Sequence, residues 1–154
     1  MFNYHDLDDY EFEVLCRDIM ERKLGIELRN FGKGVDGGID LLDKEKEPNV
    51  IVQVKHYINS SFSNLRTTLK KEVEKVKKLK PKKYYICCSC SQTITNNNIN
   101  EIYDLFSGYM ESKANIITLQ DIDDFLTQEI NKDIVRKNFK LWLSASNILS
   151  EIYN

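Results

Sequence analysis

Asp40, Gln53 and Lys55 are the residues of this chain whose types and spacing suit chemistry. They stand in Asp36-Gly-Gly-Ile-Asp40 and Gln53-Val-Lys55, with the charged run Lys44-Glu-Lys-Glu47 and Pro48 between them. A charged run ending in proline supplies a turn, so the two segments read as the strands of a hairpin. With the pairing centred between Lys46 and Glu47, Asp40 falls opposite Gln53, and Gly38 opposite Lys55. Side chains alternate along a strand, which puts Gln53 and Lys55 on one face, about 7 Å apart. Asp40 joins that face, with its Cβ about 5 Å from that of Gln53, and Gly38 leaves space above the lysine. Carboxylate and carbonyl oxygens suit a hard divalent cation, and a lysine beside them suits a phosphate and an attacking water.

Each residue also has a plainer reading. Gln53 can hydrogen-bond within the sheet, and Lys55, between Val54 and His56, can run its stem along apolar surface to water. Asp40, flanked by Ile39, Leu41 and Leu42, is costly to bury without a partner or a metal. Asp36, before two glycines, has the position of an aspartate that closes a turn.

The elements that must position these residues are legible in the same way. Asp8-Asp9-Tyr10-Glu11 has the spacing of a capping box, with Leu7 and Phe12 as its hydrophobic staple, and predicts a helix over 8–24. Its buried arc is Phe12, Leu15, Cys16, Ile19 and Met20, and Glu13 falls at the arc's edge. A strand is expected over 26–31, then the loop Gly32-Lys-Gly34, then hairpin strands over 37–43 and 49–57. Phe62, Leu65, Leu69, Val73 and Val76 recur at helical spacing until Pro81. A buried strand over 83–90, a helix over 95–109 and a short strand over 115–119 follow.

With 154 residues, 42 % of them hydrophobic and 30 % charged, the chain is sized and composed for one compact domain. A net charge of −2 does not announce a nucleic-acid binder. The charge is uneven, however: eight lysines lie between Lys70 and Lys83, against Glu72 and Glu74. Such a run reads as a solvated helix face or as a flank that tracks phosphates. Cys16, Cys87, Cys88 and Cys90, with only His5 and His56 as imidazoles, lack zinc-ligand spacing and read as core thiols. The N-terminus is polar, and no apolar run approaches the roughly 20 residues that cross a bilayer, so a cytoplasmic protein without a membrane partner is expected. The apolar C-terminal stretch around Ile134, Phe139, Trp142 and Ile148 either closes the core or leads to a further domain.

Taken together, Phe12-Glu13, Asp36-Gly-Gly-Ile-Asp40 and Gln53-Val54-Lys55 resemble the PD-(D/E)xK nucleases, in the Mrr-like branch where glutamine replaces the second acid. Val52-Gln-Val-Lys-His-Tyr57 and Lys140-Leu-Trp-Leu-Ser144 look like the nuclease domains at the N-terminus of STAND-type NTPases in antiphage defence. The resemblance implies a restriction-endonuclease-like α/β fold: an αβββαβ core with a mixed central sheet flanked by helices. It places a nuclease core at 1–128 and a helical extension at 129–154, leading to an NTPase domain.

By the same resemblance, Asp40, Gln53, the Val54 main-chain carbonyl and Glu13 hold Mg²⁺ or Mn²⁺, and Lys55 orients or deprotonates the water. The expected activity is metal-dependent endonucleolytic hydrolysis of DNA, with copies of the chain associating for double-strand cutting. Lys33 and His56, which flank the motif, are expected to contact DNA. Alternatives are a non-catalytic nucleic-acid-binding or oligomerisation module of the same fold, a junction resolvase or an RNase.

Overall fold

A computed structural model of the chain describes residues 2–33 and 39–142, without the side chains at 32, 33, 39, 40 and 139. Asp36, Gly37, Gly38 and Gly34 lie outside the described residues, as do Ser144 and Ile148.

The first helix, α1 (Asp9–Leu24), begins at the expected capping box: Asp8 Oδ1 accepts from the Glu11 amide at 2.8 Å, and Glu11 Oε1 accepts from the Asp8 amide at 3.0 Å. It stops at Gly25, whose φ of 66° is a left-handed conformation that costs glycine little. Strand β1 (Arg29–Lys33) starts three residues later than expected. Glu21 Oε2 takes the Leu28 amide at 2.9 Å, which holds the intervening chain against α1 and keeps it out of the sheet.

Strands β2 (Ile39–Leu42) and β3 (Val50–Tyr57) form the expected hairpin, with Asp40 opposite Gln53 and Leu41 opposite Val52. The Asp43 carboxylate fixes the connection by accepting from the amides of Asn49 at 3.0 Å and Val50 at 3.1 Å. Helix α2 (Phe62–Leu79) follows from a Ser61 cap, and Lys80, with φ 47°, ends it ahead of Pro81. Strand β4 (Lys83–Cys90) and helix α3 (Asn96–Phe106, capped by Thr95) come next. The last strand, β5, is only Ile116–Ile117. It is cut short because Ser112 caps a tight turn before it and Thr118 already caps α4 (Leu119–Leu126) after it.

The five strands lie in the order β1-β2-β3-β4-β5, antiparallel as far as β3 and parallel from β3 to β5. This is the mixed sheet that was expected. One face, carrying Leu41, Val52, Val54 and Cys87, packs on Phe12, Leu15 and Ile19 of α1 and on Ile122 of α4. The other, carrying Ile51, Tyr84, Ile86 and Cys88, packs on Leu65, Leu69 and Val76 of α2 and on Ile102 of α3. All four cysteines are buried and free. Among the described residues no helix is long and apolar enough to cross a membrane.

Helix α5 (Lys132–Lys137) and the turn Phe139–Leu141 close the α1 face. Ile134 and Leu141 enter the core that contains Phe12 and Leu15. Arg22 grips Asp133 in a two-pronged ion pair at 2.8 and 2.7 Å, and Lys137 and Lys140 reach Asp18 and Glu11 on α1 at 3.1 and 2.9 Å. Leu141 is 1 % exposed, so Leu141→Ala is expected to cost about 2–5 kcal/mol of unfolding free energy. Urea denaturation checks this: an unchanged midpoint would mean that this turn lies outside the cooperative unit.

Candidate active site

Alternation along β3 divides its residues between two layers. Val52 and Val54 enter the α1-side core, and Ile51 the α2-side core. Gln53 and Lys55 share the parity of Ile51, and Tyr57, next in that series, bonds Thr68 of α2 at 2.9 Å. Register sets Asp40 directly opposite Gln53; the side chains of Asp40 and Lys33 are among those left undescribed. Val54 stands between Ile39 of β2 and Cys87 of β4.

Lys55 does not run out to water. It is 2 % exposed, and its Nζ lies 3.2 Å from Oε1 of Glu72 on α2, itself 4 % exposed. Two charges are removed from water here, which is tolerable only because each meets the other. Lys75 Nζ approaches the second Glu72 oxygen at 3.9 Å. Tyr84, fully buried in the same layer, has its pKa raised well above the ordinary value, mainly by desolvation and next by the charge of Glu72.

Glu72, expected among the exposed charges of the lysine-rich helix, is instead the interior partner of Lys55. The signal was present: it lies three residues after Leu69 and four before Val76, on the helix's apolar arc. A carboxylate at a core position calls for a buried cation, and Lys55 is that cation.

Glu13 is buried at 2 % exposure in the α1 layer, where its carboxylate accepts from the side chain of Asn30 on β1. Desolvation raises its pKa, and Arg17 and Asn30 offset this only in part. It therefore approaches the sheet from the face opposite to that of Gln53 and Lys55. Among the described residues no three His, Cys, Asp or Glu side chains gather closely enough to hold a metal. The structure thus brings Gln53, Lys55 and Glu72 into one layer, sets Asp40 beside Gln53 by register, and leaves Glu13 on Asn30.

His56 is given a different job from the DNA contact expected of it. Its ring stacks on Phe12 with centroids 4.2 Å apart. Nε2 donates to the Leu7 carbonyl at 2.9 Å, which leaves Nδ1 to accept from the Ser89 hydroxyl at 3.0 Å in the neutral ring. Both nitrogens are used in joining β3 to the start of α1 and to β4, so the geometry offers neither to a phosphate.

Three outcomes follow. Glu72→Gln keeps the shape but strands the Lys55 charge, and is expected to lose about 3–5 kcal/mol of stability. The double variant Lys55→Met/Glu72→Leu, in which neither charge remains, should fall well short of the summed single losses in a denaturation cycle; additive losses would show that the two groups do not interact. For His56, desolvation is the leading cause of a folded-state pKa below the ordinary 6.5. The unfolded chain then takes up the proton first, so this contribution is full above pH 6.5 and is lost as pH falls below it. Melting temperature followed from pH 7.5 to 5 should decline less steeply for His56→Gln than for the native chain.

A family profile described as restriction endonuclease, of the Mrr catalytic type, matches residues 4–82. The span runs from ahead of α1 through the hairpin to the end of α2, and so holds Glu13, Asp40, Gln53, Lys55 and Glu72. An uncharacterized protein of Sinorhizobium fredii, y4cD, is 24 % identical over 151 residues, covering 98 % of this chain and 23 % of the relative. The chain thus spans less than a quarter of that curated relative's length. No solved structure matches it. With the match covering more than half of the chain, and a mixed five-stranded sheet between helical layers to carry it, this protein belongs to the Mrr-type restriction endonuclease family.

Proposed function

We propose that this chain is a divalent-metal-dependent endodeoxyribonuclease whose site is Asp40, Gln53 and Lys55, supported by Glu72. The observation that carries the reading is the hairpin register, which pairs Asp40 with Gln53, together with the buried Lys55 two residues further along the same strand. In a member of a restriction endonuclease family, an acid, an amide and an interior lysine in that arrangement are best explained by phosphodiester hydrolysis.

The donors suit Mg²⁺ or Mn²⁺. The Asp40 carboxylate, the Gln53 amide oxygen and the Val54 carbonyl are all hard oxygens, with no thiolate or imidazole among them. Glu13, held by Asn30 on the α1 side, stands outside this set. When bound, the metal neutralises phosphate charge and makes a coordinated water more acidic.

The chain's own residues do the positioning. An ammonium carries three donors; among the described residues Glu72 occupies one on Lys55, which leaves two to fix the attacking water and a phosphate oxygen. Held in an ion pair, Lys55 acts as a donor that orients rather than as a base. Val52 and Val54, buried against α1, keep β3 from turning this face away.

A chain covering 23 % of its curated relative is read as one domain of a longer protein. An NTPase or sensor domain beyond it, with cutting raised by association of copies, is the arrangement that a restriction or antiphage system would use. A single site attacks one strand, and linking copies raises the effective concentration of the second.

Supercoiled plasmid, single-stranded DNA and RNA incubated with Mg²⁺ test the activity. Plasmid is expected to pass through nicked to linear form, EDTA to abolish cutting, and Asp40→Ala and Lys55→Ala each to slow it at least about 100-fold, or about 2.7 kcal/mol of barrier. Cleavage that survives both substitutions, or that ignores EDTA, would locate the chemistry elsewhere.

A further inference from the structure

We propose that the lysine-bearing outer face of α2 is the track along which the sugar–phosphate backbone of duplex DNA lies as it reaches Lys55. This rests on the nuclease reading and adds the surface and the direction of approach. The stretch from Lys70 to Lys83 holds eight lysines and two glutamates, a net +6 within a chain of net −2.

The fold sharpens that excess. Glu72 is turned inward onto Lys55 at 3.2 Å and meets the stripe only at Lys75, 3.9 Å away, so it offsets little of the surface charge. Glu74 is taken by Lys77 at 3.6 Å, and Glu111 by Lys83 at 3.4 Å. Among the described residues, Lys70, Lys71, Lys78, Lys80 and Lys82 are exposed and make no ion pair. A surface meant only to stay dissolved gains from mixed charges; five unneutralised cations within thirteen residues are what a polyanion requires.

Position supplies the direction. Lys71, Lys75 and Lys78 recur at i, i+4 and i+7, which puts them on one stripe of the helix. That stripe spans about 10 Å at 1.5 Å per residue, the rise of roughly three base pairs. It begins beside Glu72, whose two oxygens point to Lys55 of the sheet and Lys75 of the stripe. The opposite layer offers no comparable surface: α4 carries Asp121, Asp123 and Asp124 and no cation, and Lys132 and Lys137 of α5 are paired with Glu129 and Asp18. The basic layer is the one into which Gln53 and Lys55 project.

The test is the salt dependence of DNA binding, read by fluorescence anisotropy of a labelled 20-base-pair duplex in EDTA, between 50 and 200 mM NaCl. Lys71→Gln/Lys78→Gln is expected to reduce the slope of log affinity against log salt by about 1.8, at about 0.9 for each phosphate no longer neutralised. Lys132→Gln/Lys137→Gln, on α5 of the opposite layer, should leave it unchanged. Glutamine matches lysine in helix propensity, and circular dichroism verifies that both variants fold. An equal slope for the α2 variant and the native chain overturns the track, as does a native chain that binds without salt dependence. The nuclease reading fails separately: a chain that binds along α2 and yet leaves plasmid intact in Mg²⁺ retains the track and loses the activity.

Discussion

The ion pair between Lys55 and Glu72 is the constraint around which this molecule is organised. Neither charge is stable alone in the interior, and their 3.2 Å contact spans the space between sheet and helix. It therefore dictates which face of β3 looks toward α2, and at what height α2 lies on the sheet. A one-residue slip in β3 would send Lys55 among Phe12 and Leu15 and bring Val54 against a carboxylate. Hydrophobic contacts alone would tolerate several registers here, since Val and Ile occupy β3 on both faces. The charge pair does not.

From that choice follows a division of labour between the two faces of the sheet. The α1 side is devoted to cohesion. It holds the larger share of the core, the His56 junction between Phe12, Leu7 and Ser89, and the helical residues up to Leu141 that close over α1. The α2 side carries the interior polar groups Gln53, Lys55 and Glu72 and the basic helix surface outside them. Polar groups concentrated on one face let the other be packed mainly with apolar side chains. Glu13 is the exception, a buried carboxylate held in the cohesive layer by Asn30.

The same pair also explains why the lysine-rich helix differs from ordinary surface. Its two acids would, if both exposed, interleave with the lysines and moderate their field. Drawing Glu72 inside pairs it with Lys55 and leaves the outer surface more basic than its composition suggests. One residue thus couples the electrostatics of the interior to those of the exterior.

Local signals in the sequence determined most of the elements. The capping box at Asp8 and Glu11, Gly25 after the last turn, Ser61 and Pro81 around α2 and the apolar run from Tyr84 to Cys90 all act over a few residues, where short-range sterics and hydrogen bonds decide the outcome. The hairpin register was legible too, once the pairing is centred between Lys46 and Glu47, and the structure pairs Asp40 with Gln53 as that centre requires. Strand limits at Arg29 and Ile116 were not, since Glu21 reaches across seven residues to take the Leu28 amide, and competing caps trim β5. Only the tertiary structure decided the partners of Lys55 and His56. Seventeen residues separate Lys55 from Glu72, and forty-nine separate His56 from Leu7. Helical spacing could have marked Glu72 as inward-facing, but which buried charge it answers depends on how α2 packs on the sheet, a long-range choice made by the whole core at once.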